Sequence, residues 1–152
     1  MTKPNDLSAT EARKLIGNKQ LSPLELTKSC IDQIERYNPS INAVVAINHE
    51  DVLKEAKKAE DDVMAGKELG LLHGLPVGIK DLNLVKDLRS TSGSKLFENR
   101  IPDYDDSVVA DIRAEGGIVF CKTNTPEFGA GANTKNKVYG TTCNPFDLTK
   151  TS

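Results

Sequence analysis

The stretch GLPVGIKD, Gly74 to Asp81, decides how this chain is read. Lys80 closes an otherwise apolar run, an unusual place for a charge. In an extended strand successive side chains point to opposite faces, so Val77 and Ile79 share one face while Gly78 and Lys80 share the other. A residue with no side chain then lies beside the lysine and leaves room for a partner. Ligand crevices in open α/β sheets form at the C-terminal ends of strands, so the run predicts a pocket wall at a strand end.

Reading outward, the sequence from Leu69 onward alternates glycines, prolines and short apolar runs, the texture of buried strands and their connecting loops. Ser107 is expected to cap a helix through Val108, Val109, Ile112 and Ala114 that stops at Gly116-Gly117, and Ile118 to Cys121 then reads as a buried strand. This is one helix-to-strand unit of α/β type. From Thr123 to Ser152 only loops are expected, with proline turns at Thr125-Pro126 and Asn144-Pro145.

Upstream the signals are helical. Ser8 and Glu11 form a capping box followed by Ala12, Leu15 and Ile16 at helical spacing, up to Gly17. Ser22, Pro23 and Glu25 start a second helix whose stripe is Leu26, Cys30, Ile31 and Ile34, ending near Tyr37, Asn38 and Pro39. Ile41 to Ile47 predicts a short strand. Glu50 to Gly66 predicts a helix with Leu53, Ala56, Lys57, Ala59, Glu60 and Val63 on one face. A chain of 152 residues suits a single domain that buries about two thirds of its unfolded surface. Within it, residues 1–68 are expected to form a helical region and residues 69–152 an α/β core region.

Composition narrows the class of partner. With 38% hydrophobic, 28% charged and 5% aromatic residues, the chain is neither disordered nor fibrous. Twenty basic against 22 acidic residues leave a net charge of -2, so no summed field draws it to nucleic acid or to an anionic membrane. The longest apolar stretches, Gly116 to Cys121 and Leu69 to Leu72, fall far short of the roughly 20 residues of a membrane span. Met1 to Ala9 lacks a signal-peptide pattern, and a cytoplasmic location is expected. Cys30, Cys121 and Cys143 match neither a disulfide framework nor zinc-ligand spacing, and His49 and His73 have no ligand neighbour, so no metal is expected. Gly129, Gly131 and Gly140 lack the phosphate-binding spacing, so no nucleotide cofactor is expected either.

Three segments could carry chemistry. A lysine acts as a base only when neutral, which means bringing its pKa from about 10.4 to near neutrality, worth about 4 kcal/mol and usually supplied by burial. Asp81 would oppose this beside the ammonium, although alternation turns it away if the strand runs that far. The bland alternative for Lys80 is a strand-end lysine paired to a surface acid. The hydroxyls of Thr91-Ser92-Gly93-Ser94 could hold an oxyanion or a catalytic group, or form a serine-rich turn. Lys122-Thr123-Asn124-Thr125-Pro126-Glu127-Phe128-Gly129 follows the Ile118 to Cys121 strand and lies at another strand end, or is a polar loop with a proline turn.

Taken in order, LSATEARKLIGNKQLSPLELTKSCIDQIERYNPSINAVVAI, GLLHGLPVGIKDL, STSGSKLF, GGIVFCKTNTPEFG and NTKNKVYGTTCNPFDLTKTS resemble the successive blocks of the amidase-signature family. The resemblance implies a mixed sheet sandwiched by helices, and hydrolysis of amide bonds by a Ser-cis-Ser-Lys triad without a cofactor. It makes Lys80 the catalytic lysine. It puts Ser92, Ser94, Thr123, Asn124, Glu127, Phe128 and Gly129 in the hydrogen-bonding shell or substrate pocket of a small-molecule amide. The family's two Gly-Gly-Ser loops, which bear both serines, do not occur in these 152 residues. The resemblance therefore implies a partial amidase domain, inactive by itself, with an uncovered sheet edge and exposed apolar surface. Two other readings stay open: a non-catalytic truncated product or interaction module, and an amide-hydrolysing component (the A subunit) of a tRNA-dependent amidotransferase. Oligomeric state is left open.

Overall fold

The N-terminal helices form where the sequence supplies caps. In the computed structural model, which describes residues 3–152, helix α1 spans Ala9–Gly17 and opens with a complete capping box. Ser8 Oγ accepts from the Glu11 amide at 3.2 Å and the Glu11 carboxylate accepts from the Ser8 amide at 3.1 Å, satisfying two donors that a helix start leaves free. Helix α2, Pro23–Ile41, has proline in its first turn and Ser22 accepting from the amides of Leu24 and Glu25. The reading of Met1 to Ala9 begins at Met1 and Thr2, outside the described residues.

Helix α2 continues through Pro39, past its expected end. A proline in the last turn removes one hydrogen bond rather than a run of them, and the turn closes on Asn42, whose amide donates to Asn38 O at 2.7 Å and whose φ is 52°. Asn38 Oδ1 then accepts from the amides of Ala43 and Val44. This feeds the chain into strand β1, Val44–Ala46, which is shorter than expected. Helix α3, His49–Met64, buries Val52, Ala56, Ala59 and Val63. That 3.6-residue stripe keeps Ala56, Ala59 and Val63 of the expected face and adds Val52, with Leu53 packed half-buried against the same cluster; Lys57 stays exposed, paired with Glu60 and Asp61.

Strand β2, Pro76–Lys80, and strand β3, Ile118–Thr123, complete a three-stranded sheet of order β1-β3-β2. β1 runs antiparallel and β2 parallel to β3, so the sheet is mixed. β3 extends two residues beyond the expected Cys121, because Lys122 and Thr123 pair with Ala46 and Val44 on one side and with Ile79 and Lys80 on the other. Helix α4, Ser107–Ala114, follows β2. Its N-cap is Asp106 rather than Ser107, and the Asp106 carboxylate accepts from the Leu84 amide at 2.8 Å, so it ties down the loop after β2.

Helices cover both faces of the sheet. Val52, Ala56 and Ala59 of α3 and Ile31 of α2 pack with Ile118, Phe120 and Cys121. Val109 of α4 packs with Ile79, Val85 and Val119. A third cluster joins α1 to α2 and to Leu75 through Ile16, Leu21, Leu26 and Val63. Ile16 and Val109 are fully enclosed, and each such burial contributes about 1.5–3 kcal/mol. Beyond β3, where the sequence predicts only loops, two hairpins form: β4 (Lys135–Asn136) with β5 (Gly140–Thr141), and β6 (Cys143–Asn144) with β7 (Asp147–Thr151). The second turns at Pro145, as its proline predicts. β2 lies at a sheet edge, and Leu96 and Phe146 are 80% and 98% exposed.

Candidate active site

The end of β2 sorts its side chains by strand alternation. Ile79 is buried, with Val77 packed beside it against Val109 and Val119, while Gly78 and Lys80 are exposed. Thr123 of β3 is the partner of Lys80. A Cβ on Gly78 would lie 3.3 Å from Thr123 Cγ2 and 3.6 Å from Cys121 Sγ. The space beside the lysine is therefore shared with a threonine methyl, and a larger residue at position 78 would crowd it.

Alternation continues one residue further and turns Asp81 inward, where it is 1% exposed. Its carboxylate accepts from the Thr91 amide at 2.9 Å and from Thr91 Oγ1 at 2.6 Å. The Lys122 ammonium, 0% exposed, stands 3.6 Å from Asp81 and donates to Asn83 O and to Ser90 Oγ, the latter at 3.2 Å. Burial pushes the Lys122 ammonium below the ordinary lysine range, and the Asp81 carboxylate opposes the shift. The lysine engaged in an ion pair at this strand end is thus Lys122, and Lys80 is left facing outward.

The two loop candidates form one unit. Ser92 and Gly93 take left-handed backbone angles, φ 55° and 65°, and the turn is held by Gly93 N donating to Thr91 Oγ1 at 3.0 Å. Gly93 is required there: a Cβ would lie 3.1 Å from Thr125 O in a conformation that side chains resist. Across the gap, Phe128 N donates to Ser92 O at 2.8 Å and Ser94 Oγ to Glu127 Oε1 at 2.7 Å. Arg100 braces the same turn through Ser90 O and Ser92 Oγ. Gly129 closes against Leu82, just beyond Lys80.

Asn124 turns the other way. Its Nδ2 donates to Thr142 Oγ1 at 3.0 Å and its Oδ1 accepts from Asn136 Nδ2 at 2.7 Å, which fastens the C-terminal hairpins to the end of β3. Phe128 is 53% exposed and meets Phe97 edge-on at 6.2 Å. Ser94 is buried and committed to Glu127. The Thr91 to Ser94 turn, tied to the end of β2 through Asp81, and the Glu127 to Gly129 turn, which follows β3, are thus bonded to each other beyond the ends of the two strands. Sequence reasoning misses the group beneath them, Asp81 with Thr91, Ser90 and Lys122. A signal is present: alternation from Ile79 sends Asp81 into the core, where a carboxylate needs a cation or several donors.

The Amidase family profile matches residues 25–152. The chain is 41% identical over 142 residues to an acylamidase of Rhodococcus erythropolis, covering 93% of this chain and 30% of that protein. It is 36% identical over 140 residues to the A subunit of the glutamyl-tRNA(Gln) amidotransferase of Clostridium botulinum (strain Alaska E43 / Type E3), covering 92% of this chain and 29% of that one. Among solved structures it superposes on a bacterial aryl acylamidase of the amidase signature family with a TM-score of 0.86 at 33% identity, covering 93% of this chain and 30% of that one. On fatty acid amide hydrolase the TM-score is 0.89 at 27% identity, with 95% and 26% covered. The chain thus spans about 30% of the length of the relatives it matches. A mixed sheet between helices, a lysine at the end of its edge strand and these matches together establish that the chain belongs to the amidase-signature family.

Proposed function

We propose that Lys80 is the general base of an amide-hydrolysing site that acts on a small-molecule amide. The observation that carries this reading is the division at the end of β2: Lys80 faces outward at the strand end while the neighbouring carboxylate, Asp81, is turned inward and committed to Thr91 and Lys122. No adjacent acid holds Lys80 as an ion pair among the described residues, and a lysine in that position can exchange a proton with a hydroxyl placed over it. In its neutral form Lys80 takes the proton of a serine hydroxyl, and the resulting chain of proton transfer frees a second serine oxygen to bond to the amide carbon. The carbon-nitrogen bond then breaks, the amine leaves carrying a proton, and water cleaves the acyl-serine ester. Thr123 lies beside Lys80; Ser92, Ser94, Glu127, Phe128 and Gly129 build the loops of the surrounding shell; and Asn124 supports that shell from behind by fastening the hairpins to the end of β3.

Base chemistry requires that Lys80 be covered from water, and both serines come from the family's Gly-Gly-Ser loops. The 152-residue chain by itself is therefore expected to turn over no amide. The test is a chimera in which this chain replaces the matching 30% of the Rhodococcus erythropolis acylamidase. The chimera should hydrolyse an amide that the parent acylamidase hydrolyses, and Lys80→Ala should lower its rate by about 10²- to 10⁴-fold. Near-parental turnover in Lys80→Ala would refute the base role. The likeness to the amidotransferase component supports a second reading: glutaminase activity that depends on partner proteins, with no hydrolysis of the parent acylamidase's amide by the chimera.

A further inference from the structure

The buried lysine one strand away from Lys80 has no part in the proton transfers described above, and its contacts show what it holds. Every polar group that Lys122 touches belongs to the segment that follows Lys80: Asp81, Asn83 O and Ser90 Oγ. Asp81 in turn reaches Thr91 by amide and hydroxyl. The Asp81 amide donates to Thr123 O at 2.9 Å, and the Lys80 carbonyl accepts from the Asn83 amide at 3.1 Å. Lys80 is thus bracketed on its own strand, on β3 and at the turn after it, so what remains free is its side chain.

A fully buried ion pair is a poor way to gain stability. The cost of taking both charges out of water offsets most of their attraction, and an apolar pair of similar size often serves as well. What such a pair does provide is a single permitted arrangement, since any shift of the loop strands a charge. Resting on the proposed base role of Lys80, we infer that Lys122 and Asp81 are positioning residues for amide hydrolysis: through Asn83, Ser90 and Thr91 they lock the turn after β2 and so fix the point from which Lys80 reaches the substrate side.

The experiment has two arms. In the 152-residue chain, Lys122→Met and the double variant Asp81→Asn/Lys122→Met are compared with the parent by amide hydrogen exchange. The expected result is exchange at Asp81, Asn83 and Thr91 at least about tenfold faster, with protection in α2 and α3 retained in the double variant, which leaves no uncompensated buried charge. In the chimera the double variant should lose about 100-fold in kcat, the scale of a misplaced catalytic group, with KM within about threefold of the parent. If Lys122→Met does not fold, the double variant still decides the matter. Parental kcat in the folded double variant would overturn the inference, as would unchanged exchange at position 81 and at Thr91. If Lys80→Ala is itself active, the base role fails and this inference with it; if Lys80→Ala is inactive while the double variant is fully active, only the positioning role fails.

Discussion

Two lysines stand next to each other at the C-terminal end of the sheet, in opposite environments. Lys80 of β2 is exposed, whereas Lys122 of β3 is 0% exposed and surrounded by a carboxylate, a carbonyl and a hydroxyl. They differ because each strand alternates: Lys122 is the register partner of Ile79, on the core side, and Lys80 is the partner of Thr123. The lesson is that charge in an apolar run has two uses. Facing outward at a strand end it is available for chemistry, and facing inward it costs free energy that is tolerable only when several partners meet it.

The contrast is broken most forcefully by removing one charge at a time. Lys122→Met leaves Asp81 buried without its cation and should cost about 3–5 kcal/mol of unfolding free energy, whereas Lys80→Met, an exposed position, should shift it by no more than about 0.5 kcal/mol. Urea unfolding of both variants of the 152-residue chain measures the difference. Equal costs would mean that the two lysines are not in different environments.

A second probe sits on the other face of the sheet. Burial pushes the Cys121 thiol up to about 12 from 9.0. Between these values the unfolded chain has lost a proton that the folded chain keeps, so stability falls as pH rises from about 9 to about 12, by at most about 4 kcal/mol. Lys122, held below the ordinary lysine range, contributes the opposite slope just below about 10.5, which is why the measurement is a difference between parent and Cys121→Ala. The variant should lose less stability over that alkaline range, and identical pH profiles would show that Cys121 is not enclosed as described. A smaller cost than that of Lys122→Met is expected at Thr91→Val, which removes the charge-assisted hydrogen bond from Thr91 Oγ1 to Asp81 together with the bond that Gly93 N makes to the same oxygen, and should amount to about 2–4 kcal/mol in the same urea unfolding measurement, with Lys122 keeping the carboxylate paired.

Much of this layout is legible in the sequence. Ser8 with Glu11 and Ser22 with Pro23 mark two helix starts because capping is local chemistry. The GLPVGIK run gives the facing of Lys80 because a strand has a period of two. The hairpins from Lys135 to Thr151 are not legible, since their short strands pair by backbone and carry no apolar period. Nor is the joining of Ser94 to Glu127 and of Ser92 to Phe128, because such contacts depend on where two loops meet. Lys122 reads as the first residue of a polar loop, yet it is still within β3. Its partner Asp81 is in view, and the need to neutralise that inward carboxylate is the clue to it.

The base role of Lys80 is tested most directly by the pH dependence of kcat/KM in the acylamidase chimera, measured for the parent and for Lys80→Ala. A base works in its deprotonated form, so the parental rate should rise with pH along a limb that disappears in Lys80→Ala, leaving a low residual rate that is flat over the same range. The same limb with an unchanged midpoint in Lys80→Ala would contradict the assignment of Lys80 as the base.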